Sequence, residues 1–210
     1  MSAARATPAP RNAPIGSSRD RLREAAKALF AERGYETTST AAIARLAGTS
    51  QSQLIKHFTN KEGLLEAIFD HSWQQINPAI QMATQAIEDP KEKLRIVLGM
   101  VMNYMEKDRA QRTLFLLEGR RIRGSSHVVA FVPGFREFVR TLDGILSAMS
   151  EKGELAPGVH PQAVRSALMG ALESLMRDQL LSKTSKFPAS YTDDDIRAVF
   201  LRLMNACLAP

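Results

Sequence analysis

Apolar residues recur at helical spacing along almost the whole chain after residue 18, and few runs alternate as strands do. Ser17 or Ser18 caps a first predicted helix beginning near Arg19. Its stripe is Leu22, Ala25, Ala26, Leu29 and Phe30, and Gly34 stops it as a left-handed cap. Two short helices follow. Thr38-Ser39 caps Thr40–Leu46, which turns Ile43, Ala44 and Ala47 to one side. Ser50 caps a second, running to about His57, with Leu54 and Phe58 inward. The tight connection Ala47-Gly48-Thr49-Ser50 contains glycine, so the pair reads as a helix-turn-helix.

The same period continues to the end. Thr59-x-x-Glu62 reads as a capping box for a fourth helix carrying Leu64, Leu65, Ile68 and Phe69. It is expected to reach about Asn77, where Pro78 interrupts or kinks it, with Ile80 and Ile87 continuing the face. Asp89-Pro90 opens the next helix with proline in its first turn. Further helices are predicted over roughly Arg109–Ile122, from Pro133 through Met149, and from Pro161 to about Lys183. The last lies behind a Thr192-x-x-Asp195 cap and carries Ile196 through Cys207. Glu151–His160 and Ser182–Ser190 read as loops.

Charge sharpens this picture. The net charge is +6, and residues 1–61 hold all of the excess, with ten Lys/Arg against four Asp/Glu; the remainder carries eighteen of each. A basic first third on a neutral body suits a polyanion partner, with a basic solvated surface as the competing reading. The single cysteine, Cys207, forms no intrachain disulfide and supplies no thiolate zinc site alone. His71, His127 and His160 lack metal-ligand spacing, and no nucleophile elbow, phosphate-cradling loop or dinucleotide fingerprint occurs. No metal, no cofactor and no enzyme activity are therefore expected. No apolar stretch is long enough to span a bilayer, and the Pro-rich start has no apolar block; a disordered arm over residues 1–18 and a cytoplasmic protein with no membrane partner are expected.

The segment RLREAAKALFAERGYETTSTAAIARLAGTSQSQLIKHFTNKEGLLEAIF, residues 21–69, resembles the DNA-binding domain of the tetracycline-repressor (TetR) family. AAKALFAERGY, then TS, IA, AG and S, then HF and NKE, match together in order and spacing. The resemblance implies an all-α chain. A three-helix helix-turn-helix DNA-binding domain is expected over residues 19–65, and a C-terminal helical ligand-binding and dimerisation domain over 66–210. It implies a homodimeric repressor on a near-palindromic double-stranded operator, released by a small apolar or amphipathic ligand. The candidate DNA-binding residues are Thr38, Ser39, Thr49, Ser50, Gln51, Ser52, Gln53, Lys56, His57 and Lys61. Amides and hydroxyls there can reach base edges, and Lys61 and the helix starts at Thr38 and Ser39 can meet phosphate. Two positions depart from the family pattern. Ile55 stands where a tyrosine commonly contacts a phosphate, and is expected to pack inward; Ser52 stands where glycine is frequent. They motivate an alternative, a helical ligand-binding or interaction protein with a weakened DNA module.

In the C-terminal two-thirds, Met100, Tyr104, Phe115, Phe131, Phe135, Met169, Leu172 and Met176 are candidates for an apolar ligand cavity, with ordinary core packing as the competing reading. Arg120, Arg121 and Arg123 can greet an anionic ligand head or form a solvated face. Arg19 and Arg21 can touch phosphate or stand in solvent, and Arg5 and Arg11 of the arm can enter a minor groove. A small-residue stripe on the penultimate helix, including Ala163, Gly170 and Ser174, suits close helix approach across a dimer. The candidate interface is Ala167, Leu168, Ala171, Leu175, Phe200, Leu203 and Met204.

Overall fold

Local capping chemistry sets most helix boundaries in the computed structural model, which describes residues 16–119 and 131–209. The elements are α1 (Ser18–Arg33), α2 (Thr40–Leu46), α3 (Gln51–Phe58), α4 (Lys61–Thr84), α5 (Pro90–Lys107), α6 (Arg109–Glu118), α7 (Pro133–Glu151), α8 (Pro161–Ser185) and α9 (Asp193–Ala206). The side chains of Ser17, Ser39, Ser50 and Asp108 each accept a hydrogen bond from a backbone N–H in the first turn of α1, α2, α3 and α6. Thr192 and Asp195 form a reciprocal capping box on α9. Among the described residues the fold is all-α, with one isolated bridge between Leu155 and Leu208.

Three boundaries differ from the sequence expectation. The Thr59–Glu62 capping box does not form: Asn60 is the N-cap of α4 and accepts from Gly63 N at 2.8 Å, while Thr59 closes α3 at φ 66°. The corner is close enough that a Cβ on Gly63 would lie 2.3 Å from the Phe58 carbonyl oxygen, so glycine suits this position. Pro78 does not end α4, which runs on to Thr84. Ile76 and Ile80 are buried on either side of the proline, so tertiary packing carries the helix past one missing hydrogen bond. Beyond Thr84 the face is lost, and Ile87 lies in the connection to α5. α6 stops at Glu118, with Gly119 at its cap; Arg120, Arg121, Arg123 and the arm with Arg5 and Arg11 lie outside the described residues.

Packing joins the elements through one continuous apolar core. α1 lies against α2, α3 and α4, burying Leu22, Phe30, Ile43, Leu54 and Leu64. α4, α5 and α7 pack on one another, α7 meets α8, and α8 pairs with α9. α6 is the crossing element, touching α1, α5 and α8. No helix among the described residues is long and apolar enough to cross a membrane.

Candidate nucleic-acid interface and interior cavity

The turn between α2 and α3 is built by Gly48, whose φ of +61° is left-handed, and by a Thr49 N–H donating to Ala44 O at 3.0 Å. Arg21 fastens this turn to α1: its Nε donates to Ala47 O at 3.0 Å and its Nη1 to Gly16 O at 2.9 Å. The guanidinium is therefore a strut of the module, a role that sequence spacing does not reveal. α3 then buries Leu54 and Phe58 and leaves Gln51, Ser52, Ile55 and Lys56 outward.

The expected contacts divide on this geometry. Ser39 and Ser50 are exposed at helix N-caps, Gln51 donates to Thr40 Oγ1 at 2.7 Å, and Ser50 and Ser52 share a hydrogen bond at 2.8 Å. Gln53 and Thr49 are half-buried beside them, and Lys56 is exposed. Thr38 is not on this surface: it is 3% exposed and its hydroxyl donates to Gly34 O at 2.8 Å, which fixes the α1–α2 corner. Lys61 is likewise spent inside the module. Its Nζ donates to the carbonyls of Tyr35 (3.0 Å) and Thr38 (3.3 Å) and lies 4.3 Å from the Tyr35 ring centroid, an ammonium closing a carbonyl cluster. His57 is half-buried, its Nε2 paired with Ser18 Oγ at 2.8 Å, so it ties α3 to α1. Arg19 is exposed and stacks over Phe58 at 5.6 Å. Ile55 does not pack inward; it is 48% exposed, because α3 turns only Leu54 and Phe58 to the core.

A cavity of about 650 Å³ lies between α4, α5, α6, α7 and α8. Phe115, Phe131, Phe135, Met169, Leu172 and Met176 line it, as the sequence suggested. Met100 and Tyr104 do not: they sit on α5 outside this lining, Tyr104 beside a much smaller gap near Ser72 and Gln111. The sequence missed Trp73, which stacks on Phe138 at 4.8 Å and contacts Phe115 and Phe135 at 6.1 and 5.4 Å between ring centroids. It stands four residues after Phe69 on α4, which also lines the cavity, so the helical stripe marks both as buried without showing that α6 and α7 bring their aromatics against them. Arg136, Arg140 and Arg165 also line the cavity. Among the described residues no cluster of three or more His, Cys, Asp or Glu is placed to hold a metal.

α6 connects the cavity to α1 at its start and to α8 and α9 through Arg112. Phe115, Leu116 and Gly119 face the cavity from its C-terminal half. At its start, Asp108 caps Gln111 N at 2.9 Å through one oxygen and accepts from Lys27 Nζ of α1 at 2.9 Å through the other. One turn on, Arg112 donates to Asp193 of α9 at 2.9 Å and to Gln179 of α8 at 2.7 Å.

The candidate interface on α8 and α9 splits in two. Ala167, Ala171, Leu175 and Leu203 are exposed or half-exposed, beside exposed Val199 and Leu201. Leu168, Phe200 and Met204 are 3%, 1% and 5% exposed and belong to the subunit's own core, since helical period sends them to the face packed on α7 and between the two helices.

Comparison with known proteins agrees with this geometry. Residues 22–68 match the model of bacterial regulatory proteins of the tetR family. The fatty acid metabolism regulator protein of Bacillus subtilis is 24% identical over 163 residues, covering 74% of this chain and 82% of its own length. The HTH-type transcriptional regulator BetI of Proteus mirabilis is 37% identical over 78 residues, 37% of this chain and 39% of its own. The fold is similar to that of the transcriptional regulator FadR from Bacillus subtilis solved in complex with stearoyl-CoA. The TM-score is 0.75 at 20% identity, over 89% of this chain and 98% of that one.

Proposed function

We propose that this chain, which belongs to the TetR family and is a DNA-binding transcriptional regulator, acts as a homodimeric repressor released by an amphipathic small molecule. α3 enters the major groove and presents Gln51, Ser52, Gln53 and Lys56 to base edges and phosphates, with Ser39, Thr49 and Ser50 at the flanking helix starts. Ile55 replaces a polar contact by an apolar one on the same face. The open faces of α8 and α9, with Ala167, Ala171, Leu175 and Leu203, pair across a two-fold axis as a four-helix bundle. Two recognition helices about 34–36 Å apart then read a near-palindromic operator. Residues 19–65 serve as the DNA-binding domain and 66–210 as the ligand-binding and dimerisation domain, in the cytoplasm.

The observation that carries this reading is the position of α6, bonded to α1 through Asp108 and Lys27 while its other end walls the cavity. A ligand that occupies the cavity and displaces α6 acts on α1, and so on the spacing of the two α3 helices. Only a difference in ligand affinity between the two arrangements moves the equilibrium, and a coupling of about 1–3 kcal/mol suffices for regulation. The names of the relatives, one a fatty acid metabolism regulator and one bound to stearoyl-CoA, support an acyl compound as the occupant.

Selection from a random duplex pool followed by titration at several salt concentrations tests the DNA half. The expected result is one dimer on a palindrome, with affinity falling steeply as salt rises. Lys56→Ala is expected to weaken all sequences alike and flatten the salt slope, whereas Gln51→Ala and Gln53→Ala relax base preference. Folded, dimeric protein that enriches no site would instead support a ligand-binding or interaction protein with a weakened DNA module.

A further inference from the structure

Ile55 breaks the local logic of α3. The helix turns Leu54 and Phe58 to the core, at 0% and 6% exposure, and its outward face carries Gln51, Ser52 and Lys56. Ile55 stands on that polar face, 48% exposed, one turn after Gln51 and Ser52. A β-branched residue there brings the subunit little packing and less helix propensity than an unbranched side chain. Its polar neighbours are held in place: Gln51 donates to Thr40 Oγ1 at 2.7 Å, and the Ser50 and Ser52 hydroxyls share a hydrogen bond at 2.8 Å. A residue that breaks a local rule with no gain to the fold is expected where function requires it.

In the major groove the base pairs present hydrogen-bond donors and acceptors and a single kind of apolar group, the C5-methyl of thymine. An isoleucine pressed on a guanine, adenine or cytosine edge strips water from a donor or acceptor and returns no hydrogen bond. Against a phosphate the same loss falls on a charge. Against a thymine methyl, two apolar surfaces leave water together. We infer that Ile55 is a specificity-determining residue that reads the C5-methyl of one thymine in each operator half-site. This rests on the reading that α3 enters the major groove. Ile55 follows Gln51 by four residues, about 6 Å of helix rise. With bases stacked about 3.4 Å apart, the thymine lies within about two base pairs of the position that Gln51 faces. Ile55 therefore adds sequence preference and no electrostatic affinity, unlike Lys56 beside it.

Deoxyuridine in place of thymine isolates this contact, because it pairs with adenine in the same way and lacks only the methyl group. Each thymine of the selected operator is replaced in turn, symmetrically in both half-sites, and the full-length protein is titrated by anisotropy of the labelled duplex. At one position the parent protein is expected to lose about fourfold in affinity per half-site, or about fifteenfold for the symmetric operator, the scale of one buried methyl group on each side. In Ile55→Ala that penalty is expected to shrink below about twofold, while the penalties at other thymines stay as in the parent. Ile55→Val, which keeps the branch, should retain part of it. The salt slope of Ile55→Ala is expected to match the parent, whereas that of Lys56→Ala flattens. Ile55 is exposed, so its variants are expected to fold, which urea unfolding checks; the thymine scan of the parent needs no variant at all. A parent scan with no thymine penalty, or the same penalties in the parent and in Ile55→Ala at every position, overturns the role of Ile55 while leaving the operator and the regulator reading intact. Folded, dimeric protein that enriches no operator overturns the reading of α3 in the groove, and the role of Ile55 with it.

Discussion

Replacing Lys27 by methionine keeps the aliphatic stem of the side chain and removes only its ammonium. That group is shared between Glu24 of α1, at 2.8 Å, and Asp108 at the start of α6, at 2.9 Å. The side chains of Lys27 and Asp108 are 21% and 34% exposed. The pair is thus more sheltered than surface pairs worth about 0.2–1 kcal/mol, and well short of the buried pairs whose breakage costs about 3–5 kcal/mol. A coupling of about 1 kcal/mol is expected, a factor of about five in an equilibrium constant. Asp108→Asn is the matching change, since an amide oxygen still caps Gln111 N–H. Urea unfolding of the parent, both single variants and the double variant, at one fixed protein concentration, closes the cycle. Burial pushes the Asp108 carboxyl up, but the Gln111 N–H and Lys27 outweigh it and hold the group below its ordinary 3.8. Its contribution is therefore present above 3.8 and lost as pH falls through the lowered value. Burial likewise pulls Lys27 down, while Glu24 and Asp108 more than offset this and hold it above 10.5. That contribution is full below 10.5 and lost as pH rises past the raised value. The coupling should be flat between those limits and fade outside them. In operator titrations the same cycle should reduce the ratio of affinities without and with ligand. A coupling below about 0.3 kcal/mol at neutral pH, within the additivity of independent sites, refutes the α1–α6 link.

Three further outcomes are expected. Gly134→Ala places a Cβ 2.4 Å from Trp73 Cβ, so the start of α7 must move off α4, at a cost of about 1–3 kcal/mol in urea unfolding and with a shifted Trp73 emission. Thr192→Ala removes one half of the α9 capping box and should lower stability by about 1 kcal/mol, seen as a lower midpoint with an unchanged slope. Leu203→Glu puts a charge on the open face of α9, where Leu203 is 41% exposed; sedimentation should show monomers of unchanged helicity, and a persisting dimer would move the interface elsewhere.

How far the sequence could be read depends on how local each determinant is. Ser39, Ser50, Asp89-Pro90 and Thr192-x-x-Asp195 act within one turn, and each sits at a helix start as read. Thr59-x-x-Glu62 had the right residues but does not cap α4, because Thr59 ends α3 at φ 66° and Asn60 takes the cap. Pro78 was read by its local cost, and the burial of Ile76 and Ile80 overrode it. In the helix-turn-helix, the outward placement of Gln51, Ser52 and Lys56 follows from period, whereas Ile55, expected inward, is exposed. The diversion of Thr38, Lys61 and His57 to internal bonds depends on partners 4, 23 to 26, and 39 residues away.

The sequence by itself determined the helices that make up the described residues, their order and most of their caps, the helix-turn-helix and the concentration of positive charge in the first third. These depend on periodicity, capping and composition, which act over a few residues or none. Tertiary structure alone decided which apolar residues became cavity wall and which core. Trp73, Phe115 and Phe138 meet only because α4, α6 and α7 converge. It also separated Leu168, Phe200 and Met204 from Ala167, Ala171 and Leu203, since a helix period assigns faces but not the neighbour each face will meet. The link from the cavity to α1 through Asp108 and Lys27 spans 81 residues of chain, and only the crossing of α6 over α1 brings the two charges together.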